Sequence, residues 1–272
     1  MSKISVSFVE EKEHMRHRLT RYCDLVTGLA LRDVKMRYQL SVLGLYWAVL
    51  NPLLMTAVWS FVFSKIFRAE GIKGVPYVVF LFCGLTFWNL FSNSLMTAVN
   101  CLTGNASLLS KLYFPRVILP TSSVMARLVD FAFSLIVLAI LMVIYRVTPG
   151  CKLYWLPLLI VIELVFTLGL AYIVSAVNVL YRDLGQILGV LLTLWLYISP
   201  VIYTLEQVPP GIKDYFICNP VGELIYMEVN VVLGSGVVDP AALGVTALIA
   251  AGVFLLGLLV FRRLESAFAE VM

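Results

Sequence analysis

Residues 154–180 read YWLPLLIVIELVFTLGLAYIVSAVNVL, a run in which Glu163 is the only charged side chain. A bilayer core about 30 Å thick is crossed by about 20 apolar residues in helical form, so this run is long enough to span a membrane. Outward from it, five further apolar runs lie at about residues 44–66, 77–99, 117–145, 184–203 and 241–261. Composition agrees: hydrophobic residues make up 61% of the 272 and charged ones 13%, against about 25% charged in an average soluble domain. The expectation is an all-α polytopic membrane protein with six transmembrane helices.

Three segments flank or interrupt the spans. From Leu19 onward, Leu19, Tyr22, Cys23, Val26, Leu29 and Ala30 recur at helical spacing opposite Arg18, Arg21, Arg32 and Lys35, which predicts an amphipathic helix in the membrane interface. The first 14 residues read as a polar, mobile tail. Between spans five and six, residues 204–240 hold Pro209, Pro210, Asn219, Pro220 and Gly234 together with apolar stretches too short to span, such as Leu224 to Met227; these predict outward-facing re-entrant helices. The domains expected are a cytoplasmic tail and interface helix over 1–41, a transmembrane domain over 42–262 and a cytoplasmic tail over 263–272.

Charge placement sets the orientation. With the N-terminus inside, the inner segments hold eight Lys and Arg before residue 40 plus Lys111, Arg116, Arg127, Arg182, Arg262 and Arg263, 8 + 6 = 14 of the 20 basic residues, leaving six outside. The positive-inside rule then puts both termini in the cytoplasm. The net charge of +4 points to anionic lipid rather than nucleic acid as the partner of the basic N-terminal segment. The cysteines, Cys23, Cys83, Cys101, Cys151 and Cys218, show no CxxC spacing, so neither a metal site nor a disulfide framework is implied. The N-terminus lacks the apolar core of a signal peptide, and insertion is expected to use the first internal span.

More specific patterns begin at residues 32–54, RDVKMRYQLSVLGLYWAVLNPLL, where a basic amphipathic helix is followed by RY, SVLG, a Trp and a Pro inside the first span. With SKLYFPRVILPTSSVMARLVDF at 110–131, NVLYRDLGQI at 178–187 and SPVIY at 199–203, this order resembles the permease subunits of ABC exporters for polysaccharide (O-antigen or capsule) or teichoic acid. The resemblance implies a homodimer in the cytoplasmic (inner) membrane, bound to two copies of a separate ABC ATPase and passing a lipid-linked glycopolymer between the two permease copies. GxxxxGK[ST], the phosphate-cradling loop of ATPases, does not occur in the sequence. ATP and Mg are therefore expected on the partner, with no cofactor and no catalytic residue in this chain.

The resemblance also implies site residues. The helical segment Asn105–Phe114 is similar to the family's coupling helix, which puts Asn105, Leu108, Lys111 and Tyr113 against the ATPase; Asn105 also reads as an N-cap. Arg182, in the turn Tyr181–Arg182–Asp183, is either a second contact or part of a simple polar turn. An undecaprenyl-diphosphate carrier would present its pyrophosphate near Arg32, Lys35 and Arg37, where guanidinium forks suit phosphate oxygens; the positive-inside rule alone also places basic residues there.

Polar groups inside the spans stand out. Arg127 and Asp130 are three apart and predict an ion pair on one helical face, while Glu163 has no partner in its own helix and either packs against another helix or faces a watery route. Gly185 and Gly189 have GxxxG spacing, explained by packing within the chain. Trp47 and Trp155 lie near span ends and predict headgroup anchors. Trp59, Trp88 and Trp195 fall near mid-span, where they either line a sugar path or fill the interior. Two other functions compete with export of a glycopolymer: a membrane enzyme acting on polyprenyl-linked sugars, and an exporter permease for a drug or small lipid. Against the enzyme, both His residues sit in the N-terminal tail and no paired acidic motif marks a membrane face.

Overall fold

The computed structural model describes residues 2–39, 46–66, 72, 74–111, 115–150, 152–209, 211, 219–234 and 238–266. Residues 42–45, expected to enter the first span, and 267–272 of the C-terminal tail fall outside that set. Nine α-helices are described: α1 (Ser2–Gln39), α2 (Tyr46–Phe61), α3 (Tyr77–Ala98), α4 (Ala106–Lys111), α5 (Ile118–Ile144), α6 (Leu156–Leu180), α7 (Leu184–Ile198), α8 (Pro220–Leu233) and α9 (Pro240–Leu264). No strand occurs among the described residues.

Four helical segments are long and apolar enough to cross a membrane: Tyr77–Ala98, Ile118–Ile144, Leu153–Leu180 and Pro240–Leu264. In place of the first and fifth expected spans stand shorter apolar helices, Leu50–Ser64 and Leu184–Ile198. At 1.5 Å per residue, α7 with its 15 residues covers about 22 Å, less than the hydrocarbon thickness. Span five had been drawn to Tyr203, but the helix ends at Ile198 because Pro200 follows: the residue before a proline is steered out of the helical region, and Ser199 is extended.

Helix α3 is the axis of the bundle. Its most apolar window is 78% buried, against 28% for α5 and 22% for α9, so α3 is surrounded by protein while the other two present broad faces outward. The α3 core is aromatic. Phe82, Phe87 and Phe91 are fully buried, with Phe87 5.6 Å from Phe131 and Phe91 5.3 Å from Trp195 in an edge-on contact; such tilted pairs suit the ring quadrupole. Helix α7 buries one line of leucines, Leu188, Leu192 and Leu196, and leaves Val190, Leu191 and Leu194 exposed. Ile140, Val143, Leu248 and Leu256 on α5 and α9 are also more than half exposed. An apolar surface that broad is covered by lipid or by another protein.

Helices α6 and α9 approach backbone to backbone, where glycine removes the side chain that would block it. A Cβ on Gly257 would lie 2.1 Å from the Gly169 carbonyl oxygen, and one on Gly169 would lie 2.6 Å from the Phe254 amide nitrogen. At the Gly185/Gly189 pair a Cβ would meet Asn100 and Met96 at ordinary distances of 3.7 and 3.8 Å, which places that pair in packing within the chain.

The segment between α7 and α9 contributes α8, whose ends are legible in the sequence. Pro220 occupies the first turn with Glu223 near the positive end of the helix dipole, and Gly234 closes the helix in the left-handed region at φ 78°. Helix α8 is buried against α3, α6 and α9. Helix α9 starts with Asp239 accepting the Ala241 amide at 2.9 Å and ends with Arg262 and Arg263 in its last turn, both favourable to the dipole.

Helix α1 runs from Ser2 to Gln39, so residues 2–14, expected as a polar, mobile tail, form its first turns. It lies against α5. Val26 and Ala30 are each 8% exposed and Leu29 packs on the cluster around Cys101, Leu102 and Tyr172. The helical stripe read from the sequence is thus in part a protein-facing stripe.

Candidate functional site

Where α2 and the middle portions of α3 and α5 meet the end of α1, a cavity of about 610 Å³ opens between the helices. Its walls follow from helical spacing. On α2, Trp47, Asn51, Met55 and Trp59 line it, four residues apart and therefore on one face. On α3 the lining residues Thr86, Asn89 and Asn93 recur at three and four, continued by Thr97. On α5 they are Arg127, Asp130, Phe131 and Ser134. One wall is therefore aromatic, one carries amides and hydroxyls, and the third is charged.

The charged wall is closed by α1. Asp130 accepts from Arg37 Nη1 at 2.6 Å, from Arg127 Nη1 at 3.1 Å and from the Tyr38 hydroxyl. Arg127 also donates through Nε to Thr97 Oγ1 at 2.7 Å. Burial, then the hydrogen bond and charge of Asp130, push the Tyr38 hydroxyl up to about 12, so it stays a neutral donor at physiological pH. Two guanidinium groups share one carboxylate, which leaves the cluster a net positive charge in a site only partly open to water. By contrast the side-chain amides of Asn51, Asn89 and Asn93 have no hydrogen-bond partner among the described residues, which leaves donors and acceptors free toward the cavity.

The expected Arg127–Asp130 pair is therefore present, but as half of a four-residue cluster. The sequence reading missed Arg37 and Tyr38 as its partners because the contact joins residues more than 90 positions apart. The polar row of α3 was visible as Thr and Asn at helical spacing inside an apolar run, a signal left unused.

The three basic residues expected at the membrane face part company. Arg37 lines the cavity. Arg32 bonds Asp33 and the Asn105 side-chain oxygen, each at 2.8 Å, and Lys35 is exposed on α1. Among the tryptophans, Trp59 and Trp88 line the cavity with Trp47, which had been assigned to the headgroup level. Trp195 points elsewhere: its Nε1 donates to Asn219 Oδ1 at 2.9 Å, and Asn219 donates in turn to Ser199 Oγ at 2.8 Å. This chain of bonds pins the end of α7 to the start of α8.

The elements expected to meet an ATPase gather at one end of the bundle. Asn105 does not act as a helix cap, because its amide nitrogen donates to the Cys101 carbonyl at 2.8 Å while its oxygen takes the Arg32 bond. Leu108 packs on the cluster of Cys101, Leu102 and Tyr172. Gly185, just past the exposed Arg182, lies against Asn100. Arg116 donates to the Glu265 carbonyl at 2.7 Å, which brings the start of α5 to the end of α9. Tyr113 and the Lys111 side chain lie outside what is described.

Two helices of spanning length, α3 and α5, thus wall with α1 and α2 a cavity that is charged, amide-bearing and aromatic. The chain belongs to the ABC-2 type transporter family, whose profile matches residues 25–228. Among curated proteins it is 28% identical over 260 residues to an O-antigen export system permease protein RfbA of Klebsiella pneumoniae, covering 95% of this chain and 98% of that one. To the RfbA of Myxococcus xanthus it is 37% identical over 190 residues, 70% of this chain and 72% of that one. The capsule polysaccharide export inner-membrane protein CtrC of Neisseria meningitidis is 22% identical over 201 residues, 72% and 74% of the two chains.

Proposed function

We propose that this chain is the permease subunit of an ATP-driven exporter that moves an undecaprenyl-diphosphate-linked polysaccharide, of the O-antigen or capsule kind, across the cytoplasmic membrane. The observation that carries the reading is the cavity's composition. Sugar rings present apolar C–H faces and polar edges; the indoles of Trp47, Trp59 and Trp88 suit the faces, and the free amides of Asn51, Asn89 and Asn93 suit the hydroxyls. None of these contacts holds a charge, so successive residues of a neutral polymer can be exchanged along them. The positive Arg37–Arg127–Asp130 cluster at the same cavity suits the pyrophosphate of the carrier, whose oxygens would compete with Asp130 for the two guanidinium groups. Family membership and the names of the relatives support the cargo class.

In this reading two copies of the chain face one another across the polymer, α2 and α7 act as tilted or partial spans that complete a set of six with the four long helices, and both termini are cytoplasmic. A separate ABC ATPase, two copies per complex, docks on the end that carries Asn105, Leu108 and the Arg182 turn. The basic residues gathered there supply a rationale through the positive-inside rule, and α8 then returns from the outer side. The test is genetic. Deletion of the gene leaves lipid-linked polymer inside the cytoplasmic membrane, and the wild-type chain restores surface polysaccharide; normal surface polymer in the deletion strain would refute the reading.

A further inference from the structure

A second polar site lies in the bundle away from the cavity. Glu163 of α6 is 1% exposed and Glu228 of α8 is 0% exposed. Helices α6 and α8 pack on one another, which brings the two carboxyl groups within range of each other, yet none of the four carboxyl oxygens accepts a hydrogen bond from any described donor. The surroundings are apolar: Leu159 and Phe166 flank Glu163 on its helix, and Leu224 and Val231 flank Glu228, each at most 3% exposed.

Among the described residues no cation balances the pair. The ion pairs among the described residues are Arg32–Asp33, Arg37–Asp130 and Arg127–Asp130, none of which involves either glutamate. From α3 the titratable group that faces Glu228 is the fully buried thiol of Cys83. On α5, Arg127 and Asp130 are committed to each other; α7 contains no charged residue; α9 carries its charges at its two ends, Asp239 and Arg262 with Arg263. On α8 itself Glu223 lies more than a turn away, and before α6 stand Lys152 and Tyr154 at the helix entrance.

Two ionised carboxylates in contact inside an apolar core, with neither donor nor counter-charge among the described residues, combine a desolvation cost with direct repulsion. The arrangement is relieved when a proton sits between them: one carboxyl becomes a neutral acid whose O–H donates to the other, and both groups gain the partner they otherwise lack. We propose that Glu163 and Glu228 form a proton-binding site, and that the shared proton is the bond that holds α8 against α6. Loss of that proton to water leaves two carboxylates that repel, and α8 is driven away from the long helix. The site is independent of which cargo the cavity carries.

The sign of the pH effect follows. The folded protein keeps a proton that two solvated carboxyls in the unfolded chain release below neutral pH, so the native state binds more protons and its stability falls as pH rises. Infrared spectroscopy of the full-length protein in lipid nanodiscs tests this directly. We expect a C=O stretching band of a protonated carboxyl above the amide I region at neutral pH, shifted by deuteration, shifted again by labelling with 13C-glutamate, and lost on titration to high pH. Glu163→Gln together with Glu228→Gln, in which an amide takes the place of the neutral acid, should lack the titrating band and show a thermal midpoint flat with pH, whereas the wild-type midpoint falls as pH rises. The isotope shift in the wild type stands even where the Gln variants fail to fold. Absence of any 13C-glutamate-sensitive protonated band at neutral pH would overturn the proposal. So would a wild-type midpoint that rises on addition of sodium or calcium with that band absent, which would mark the pair as a metal-cation site instead.

Discussion

Replacing Asp130 by Asn removes the anion on which α1 and α5 converge. The carboxylate accepts Arg37 at 2.6 Å, Arg127 at 3.1 Å and the Tyr38 hydroxyl, and the side chains of Asp130 and Arg37 are only 21% and 23% exposed. Hydrogen bonds to charged groups contribute about 1.5–3 kcal/mol each, and breaking a buried ion pair from one side costs about 3–5 kcal/mol. With water reaching part of the site, about 3 kcal/mol is expected for Asp130→Asn, because Arg37 and Arg127 are left facing one another. Arg37→Ala leaves the Arg127–Asp130 pair intact and should cost about 1 kcal/mol. The double variant should then cost less than the sum by about 1–2 kcal/mol, since no unpaired Arg37 remains. Unfolding by sodium dodecyl sulfate in mixed micelles, followed by circular dichroism, gives the four corners of the cycle. Additivity within about 0.5 kcal/mol would show that Arg37 and Asp130 do not interact.

Further outcomes are expected at other sites. Gly257→Ala places a methyl 2.1 Å from the Gly169 carbonyl oxygen, backbone against backbone, and should destabilise by about 1–3 kcal/mol or more in the same unfolding assay. Trp59→Leu should lower polymer export in cells while leaving the unfolding midpoint near that of the wild type, whereas Trp88→Leu should lower both, because Trp88 is 4% exposed and packs 5.5 Å from Phe91. Trp195→Leu should instead lower the midpoint, because Asn219 loses the donor held at 2.9 Å. Leu108→Asp combined with Lys111→Glu should leave the protein inserted and the ATPase active but abolish export, read as phosphate release against surface polymer.

What was legible in the sequence was what composition and local spacing control. The long runs 77–98, 118–144, 156–180 and 240–264 sit within a few residues of their expected bounds, because an apolar helix in a bilayer is ended by the polar residues beside it. The bonding of Arg127 to Asp130 followed from the three-residue step. Less legible was everything that needs a distant partner. Glu228 was not recognised as the companion of Glu163, since the two are brought together only when α8 folds back into the bundle. Trp195 and Trp88 sit alike at mid-helix, yet one bonds Asn219 and the other faces a cavity; nothing within either helix separates them. Gly169 and Gly257 were passed over because neither has a second glycine four residues away in its own run, and their meaning appears only where two helices cross.

The central claim is that this chain carries a lipid-linked polysaccharide past the aromatic and amide walls of α2 and α3. It is tested most directly in proteoliposomes that hold the purified permease with its cognate ATPase and a labelled undecaprenyl-diphosphate-linked polymer, by measuring the polymer made accessible to a glycosidase on the far side. The account predicts transfer that requires both ATP and the permease, and that falls in the Trp59→Leu, Trp88→Leu double variant while ATP hydrolysis continues. Undiminished transfer by that variant, or no transfer by the wild-type complex while it hydrolyses ATP, would contradict it.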